Sequence, residues 1–338
     1  MQIKKALTFR ASSIGDCLMG KYFLENVHAA FPDAKLGIVV ANRGAMIHDL
    51  FRAYPWLEVL EVNRHNPRSV FSLWKNFYGS DLVVTQYAGK KGGKFSFASK
   101  LVAWLLVKRG GLVGFVDASH WNSFLYDELL PVHADKAVVE HDREALRVAG
   151  IPITFPFPEI RFIRDGTTLT KFKLEKDKFI LVHLFAGNTM RGLSPEKKRE
   201  LLLALSAKCT DTRLVISGGV SDREEAVRIS KNIPAVLIAG ETTLQELMNL
   251  ISESHGVVSV DTGVAHLAVQ IGKPLVLATT CLGRNWWFSG QYGDMAPITM
   301  FSRSDLCVAG HVYKEYPDCM NKIDMNEVVA RVAAVLTQ

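Results

Sequence analysis

A chain of 338 residues, 48% hydrophobic and 22% charged, has an ordinary globular composition and enough length for about two domains, each with its own core. Its five cysteines (Cys17, Cys209, Cys281, Cys307 and Cys319) are too few and too scattered for a disulfide scaffold and are expected as reduced thiols. No stretch of about 18 apolar residues is present and the Met1 end lacks a charged segment leading into an apolar one, so neither a membrane span nor a secretory signal is expected, and the predicted location is cytoplasmic.

Taken in order, the elements begin with a short apolar strand, ALTF, followed by RASSIGD (10–16) and a helical stretch from Cys17. The strand-like runs LGIVVA (36–41), LEVLEV (57–62), DLVVTQ (81–86) and GLVGFV (111–116) then alternate with helical segments, a parallel β/α plan. The net charge of +6 has a location. Between Asp81 and Asp117 there is no acid, while Lys90, Lys91, Lys94, Lys100, Lys108 and Arg109 supply six positive charges. With Arg64, Arg68 and Lys75 upstream, the basic stretch spans 62–116, and it predicts either an anionic partner or a solvated face. IPITFPFPEIRF (151–162) contains three prolines and reads as an extended connector. The alternation restarts with FILVHLF (179–185), a helix from Pro195 capped by Ser194, and then RLVISGG, AVLIAG, GVVSVD and PLVLATT.

The predicted architecture is therefore α/β: two facing Rossmann-like domains, 1–155 and 156–338, with a ligand cleft between the carboxyl ends of their sheets. Neither half carries G-x-G-x-x-G after its first strand, which disfavours a nicotinamide cofactor. Two turns in the second half suit a phosphate. In VVSVDTGVAHLAVQIGKPLVLATT (257–280) a strand ends at Asp261, Thr262-Gly263 opens a helix, and His266 falls early in it; amide groups and a hydroxyl at a helix N-terminus fit a diphosphate. In HLFAGNTMRGLSPE (183–196), the loop Gly187-Asn188-Thr189 with Arg191 offers backbone amides and a guanidinium. Asp261 could instead only cap the helix, with His266 packed against a neighbour.

These residues, with RASSIGD, FPDAKLGIVV (31–40), GLVGF (111–115) and CMNKIDMNEV (319–328), make the chain resemble glycosyltransferase family 9, the heptosyltransferases of lipopolysaccharide core assembly. The resemblance implies a GT-B fold and inverting, metal-independent transfer from a nucleotide-diphosphate sugar, typically ADP-heptose, to a lipid A-linked acceptor. It implies an acceptor-binding N-terminal domain and a donor-binding C-terminal domain. Asp16 would then be the general base, and Gly187, Asn188, Thr189, Arg191, Asp261, Thr262, Gly263 and His266 the donor-binding set. Family members commonly carry Lys where Arg191 stands. Ser13, Lys90, Lys91 and Lys94 are the expected acceptor-side residues, and the basic stretch is expected to attach the protein peripherally to the anionic inner-membrane face or its lipopolysaccharide precursors.

Cys307, Cys319 and His311 are too few and too irregularly spaced to predict a zinc site, so no metal and no cofactor is assigned. RNWWF (284–288) reads either as a stacking surface or as packing. The alternatives are a GT-B enzyme for another nucleotide sugar and glycan, or a non-catalytic glycan- or nucleotide-binding protein, against which the presence of Asp16 argues. Nucleic acid is not an expected partner, because the basic stretch has no supporting motif.

Overall fold

The computed structural model describes residues 2–10, 13–41, 44–63, 66–85, 97–116, 124–281, 284–307 and 315–336. The chain divides into two compact units, Met1–Arg161 with Asn285–Gly293, and Phe162–Arg284 with Asp294–Gln338.

In the first unit, β1 (Lys5–Phe9), β2 (Lys35–Val40), β3 (Leu57–Glu61), β4 (Leu82–Thr85), β5 (Leu112–Phe115) and β6 (Glu128–Leu130) alternate with α1 (Ile14–Ala30), α2 (Gly44–Leu50), α3 (Pro67–Phe77) and α4 (Phe97–Leu106), and α5 (Val138–Val148) follows. The six strands form one parallel sheet in the order β3-β2-β1-β4-β5-β6. Leu73 and Phe77 of α3 and Ala103 and Leu106 of α4 pack with Leu7, Phe9, Val39 and Val83 of the strands. Gly37 in β2 makes that packing possible, since a Cβ there would come within 2.8 Å of Leu7, Leu60 and Phe77.

α1 is buried on nearly every side, polar positions included. Asn26 serves the connector: its Oδ1 accepts from the amides of Thr154 and Phe155 at 2.8 and 2.9 Å, and its Nδ2 donates to the Tyr22 carbonyl at 3.1 Å. Lys21, wholly buried, ion-pairs with Glu25 at 2.7 Å and donates to the Glu159 carbonyl. The connector 151–162 thus needs no strand or helix of its own. Segment 285–293 belongs to the same unit, and a buried glutamine helps tie it there: the Gln291 Oε1 accepts from the Val139 amide at 3.0 Å and its Nε2 donates to Met19 Sδ at 3.1 Å. Trp287 of RNWWF is 6% exposed beside Tyr292, with ring centroids 6.1 Å apart, so it packs rather than presenting an open face.

The second unit repeats the plan. After α6 (Thr167–Lys171) come β7 (Phe179–His183), α7 (Pro195–Lys208), β8 (Arg213–Ile216), α8 (Arg223–Ser230), β9 (Ala235–Leu237), α9 (Leu244–Glu253), β10 (Gly256–Val260), α10 (Gly263–Gln270), β11 (Leu275–Ala278) and β12 (Ile298–Phe301), closed by α11 (Asp318–Asn321) and α12 (Met325–Leu336). Its parallel sheet runs β12-β11-β10-β7-β8-β9. Each sheet therefore has the Rossmann order 3-2-1-4-5-6 counted within its own unit.

The alternation read from the sequence accounts for five strands in each sheet. The sixth, β6 and β12, is at an edge, is short, and is largely exposed or half-buried, so it lacks the apolar run that marks a central strand. α1 also begins three residues earlier than the sequence suggested, at Ile14, because Ser13 caps it.

Candidate functional site

In sheets of this order the ligand position lies outside the carboxyl ends of the two strands at which the order reverses. In the second unit those strands are β7 and β10, which pair in parallel with His183 opposite Ser259. The two sequence-predicted turns leave them directly, which is why residues some 70 positions apart meet.

Beyond β7, Asn188 caps a single 3-10 turn, Thr189–Arg191, its Oδ1 accepting from the Met190 amide at 3.0 Å. Gly187 is exposed, and a Cβ there would find nothing within 4 Å, so no neighbouring protein atom requires the glycine and the loop backbone stays open to approach. Two backbone contacts from outside hold the loop: the Tyr316 amide donates to the Thr189 carbonyl at 3.2 Å, and the Ser194 amide to Asn321 Oδ1 at 2.9 Å. Ser194 in turn caps α7 through the Lys197 amide at 3.3 Å.

Beyond β10, Thr262 is the N-cap of α10 in extended conformation, and its side chain makes no capping bond. Its Oγ1 lies 3.4 Å from Ser259 Oγ, which donates to the His183 carbonyl at 3.2 Å. The Asp261 side chain is 1% exposed, with Arg191 Nη1 3.5 Å from its Oδ2 and His266 Nε2 4.0 Å from its Oδ1. The structure thus brings Arg191, Asp261 and His266 around one buried carboxylate. Arg191 is 40% exposed and carries five N–H donors, so it can hold Asp261 and still present donors outward. Burial and the Arg191 charge push His266 down to about 3, which makes it a neutral imidazole at physiological pH. The contact with Asp261 is therefore a polar one, not an ion pair.

In the first unit Ser13 and Asp16 form a reciprocal cap on α1. Ser13 Oγ accepts from the Asp16 amide at 3.2 Å and donates to Asp16 Oδ2 at 2.5 Å. Arg10, buried at the end of β1, donates from Nε to the Asp16 carbonyl at 2.9 Å and lies 3.6 Å from Asp142. Asp16 is half-buried at the switch point of the first sheet, following β1 next to β4. Lys90, Lys91, Lys94 and His311 lie outside the described residues. Of the other basic residues, Lys100 is 2% exposed and is spent inside the unit, 5.9 Å from the Tyr126 ring, and Lys108 pairs with Asp81 at 2.5 Å.

Sequence reasoning missed two features of the second unit. His183 is buried with Nδ1 3.1 Å from Ser217 Oγ and is pushed down to about 4 by burial, and nothing in a lone histidine at a strand end announces that. Cys281, just beyond β11, lies with Cys307 and Cys319, the three Sγ atoms all within 4.8 Å of one another; it stands 26 positions before the next of the three.

Two parallel α/β sheets of one Rossmann order make this an α/β protein of two Rossmann-like domains, the GT-B fold of the solved heptosyltransferase structures given below. The family model described as glycosyltransferase family 9 (heptosyltransferase) matches residues 96–277, over half of the chain. The chain belongs to that family and is a glycosyltransferase.

Solved structures agree in fold. The ADP-heptose LPS heptosyltransferase II of E. coli is 18% identical with a TM-score of 0.72, covering 98% of both chains. A family 9 glycosyltransferase from Veillonella parvula is 14% identical with a TM-score of 0.74, covering 99% of this chain and 98% of its own. E. coli heptosyltransferase WaaC with ADP is 17% identical with a TM-score of 0.68, covering 98% of this chain and 99% of its own. No curated protein matches by sequence.

Proposed function

We propose that the chain transfers a heptose from ADP-heptose to a lipid A-linked inner-core acceptor with inversion, the second unit holding the donor and the first the acceptor. The observation that carries the donor assignment is the Arg191–Asp261–His266 cluster beside the open N-terminus of α10, between two loops that leave neighbouring strands. The similarity to the E. coli ADP-heptose LPS heptosyltransferase II and to heptosyltransferase WaaC with ADP supports the choice of donor.

In this reading a diphosphate meets the first amides of α10, the Thr262 hydroxyl, the Gly187–Thr189 backbone and the outward N–H groups of Arg191. Asp261 does not touch the phosphates. Its buried charge fixes the guanidinium, and its repulsion of the diphosphate is offset by the same arginine. His266, being neutral, contributes a hydrogen bond and no charge. Asp16 removes the acceptor hydroxyl proton as that oxygen bonds to the anomeric carbon, the bond from that carbon to the diphosphate breaks, and Arg191 with the α10 amides takes up the leaving-group charge. Those cationic and dipolar groups serve without a divalent ion.

Acceptor-side binding by Ser13, Lys90, Lys91 and Lys94 belongs to the same proposal, as does peripheral attachment to the inner-membrane face. Exposed aromatics on and just after α3 support the attachment: Phe71, Trp74 and Tyr78 are 63%, 47% and 58% exposed, with Arg68 and Lys75 also exposed.

Calorimetric titration with ADP-heptose, ADP and a panel of other nucleotide sugars tests the donor site. ADP-heptose is expected to bind most tightly, and Arg191→Ala to lose roughly tenfold or more, as expected for a charge-assisted contact of about 1.5–3 kcal/mol. Unchanged affinity in Arg191→Ala would remove the site from the second unit.

A further inference from the structure

We propose that Cys281, Cys307 and Cys319 form a three-thiolate site for a thiophilic divalent cation of the zinc class, at the carboxyl edge of the second sheet. This goes beyond the transferase reading and does not depend on which donor is used.

Three of the five cysteines converge from separate segments: Cys281 from the exit of β11, Cys307 from the end of the 3-10 turn Ser304–Leu306, and Cys319 from α11. Their Sγ atoms all lie within 4.8 Å of one another. Sulfurs sharing one tetrahedral zinc at about 2.3 Å are about 3.8 Å apart, so gathering these three onto an ion takes side-chain shifts of about 1 Å or less. A disulfide would use only two of them and leave the third beside it. Among the described residues the group contains no carboxylate or imidazole, and an all-sulfur donor set selects zinc or iron over magnesium or calcium.

As thiols Cys281 and Cys319 are hard to ionise, raised by burial first and then by the neighbouring Cys307. A bound dication reverses that. Each thiol that ligates releases one proton, so three thiolates on a 2+ ion carry a net charge of −1, and a water can fill the fourth position.

The surroundings suggest a structural role for the ion. The Arg303 amide donates to the Cys319 carbonyl at 3.2 Å, the Tyr316 amide to the Thr189 carbonyl at 3.2 Å, and Asn321 on α11 accepts from the Ser194 amide at 2.9 Å. An ion here would clasp the exit of β11 to the segment that braces the Thr189–Arg191 turn.

The test is an anaerobic titration of the reduced full chain with cobalt(II). The proposal expects a sulfur-to-cobalt charge-transfer band that saturates at one equivalent and is bleached by one equivalent of zinc(II). Cys281→Ser and Cys307→Ser, both at half-buried positions, should each weaken cobalt binding by at least about tenfold, the smallest loss usual when a metal site is disturbed. Cys209→Ser should leave the band unchanged, and far-UV circular dichroism and melting in metal-free buffer show whether each variant is folded. Absence of the band in the reduced chain, or its persistence at full strength in folded Cys281→Ser and Cys307→Ser, would overturn the proposal. So would loss of the band in Cys209→Ser.

Discussion

Ser13 and Asp16 show how one short stretch serves both folding and chemistry. The Ser13 hydroxyl satisfies an orphan amide of α1 and binds a carboxylate oxygen of Asp16, while Arg10 beneath fixes the Asp16 carbonyl. The carboxylate is thus oriented at the helix N-terminus, where the dipole favours its charge. Asp16→Asn keeps an oxygen that accepts from Ser13, so stability should change little. Loss of the base should lower turnover by about 100- to 10,000-fold with donor affinity near the parent's. Near-normal turnover in steady-state assays would reduce Asp16 to a capping residue. Residue types at this scale could be read from the sequence, since a turn residue, a cap and a carboxylate declare themselves locally. Burial could not: Lys100 belongs to the basic stretch, yet it is enclosed, and no local pattern announces that the Asp261 carboxylate is buried beside Arg191.

The central strands and capped helices followed from apolar runs and Ser or Thr caps, because both signals lie within a few residues. The edge strands β6 and β12 did not, because pairing to one neighbour needs few apolar residues. Two buried imidazoles have a consequence at this scale. His183 on β7 and His266 on α10 stay neutral in the folded chain down to about 4 and about 3, whereas an unfolded histidine takes up a proton near its ordinary value of 6.5. Above that pH neither affects stability. As pH falls below it, the unfolded chain binds the extra protons, and each histidine lowers unfolding free energy by up to about 1.4 kcal/mol per pH unit. Urea unfolding between pH 6.5 and 4 should therefore show stability falling with acidification, with a shallower slope in His266→Gln. Equal slopes in parent and variant would mean that His266 is protonated in the folded state.

For the molecule as a whole, the doubling of one strand order in two units was legible, because each half repeats the same β/α alternation around a proline-containing connector. The return of 285–293 to the first unit was not, since contacts such as those of Gln291 with Val139 and Met19 span more than 150 positions. The convergence of Cys281 with Cys307 and Cys319 was hidden for the same reason. Membrane attachment also belongs to this scale. Replacing Phe71, Trp74 and Tyr78 together with Ser should lower sedimentation with anionic liposomes, and added salt should weaken the parent's binding through its basic part. Equal sedimentation would make these aromatics an ordinary exposed face. The most direct test of heptose transfer is turnover itself: purified chain, ADP-heptose and a truncated lipopolysaccharide acceptor, with product followed by mass spectrometry and ADP release. The account predicts one heptose added per acceptor with stoichiometric ADP. Transfer from a different nucleotide sugar with none from ADP-heptose, or donor binding without transfer to any acceptor, would contradict it.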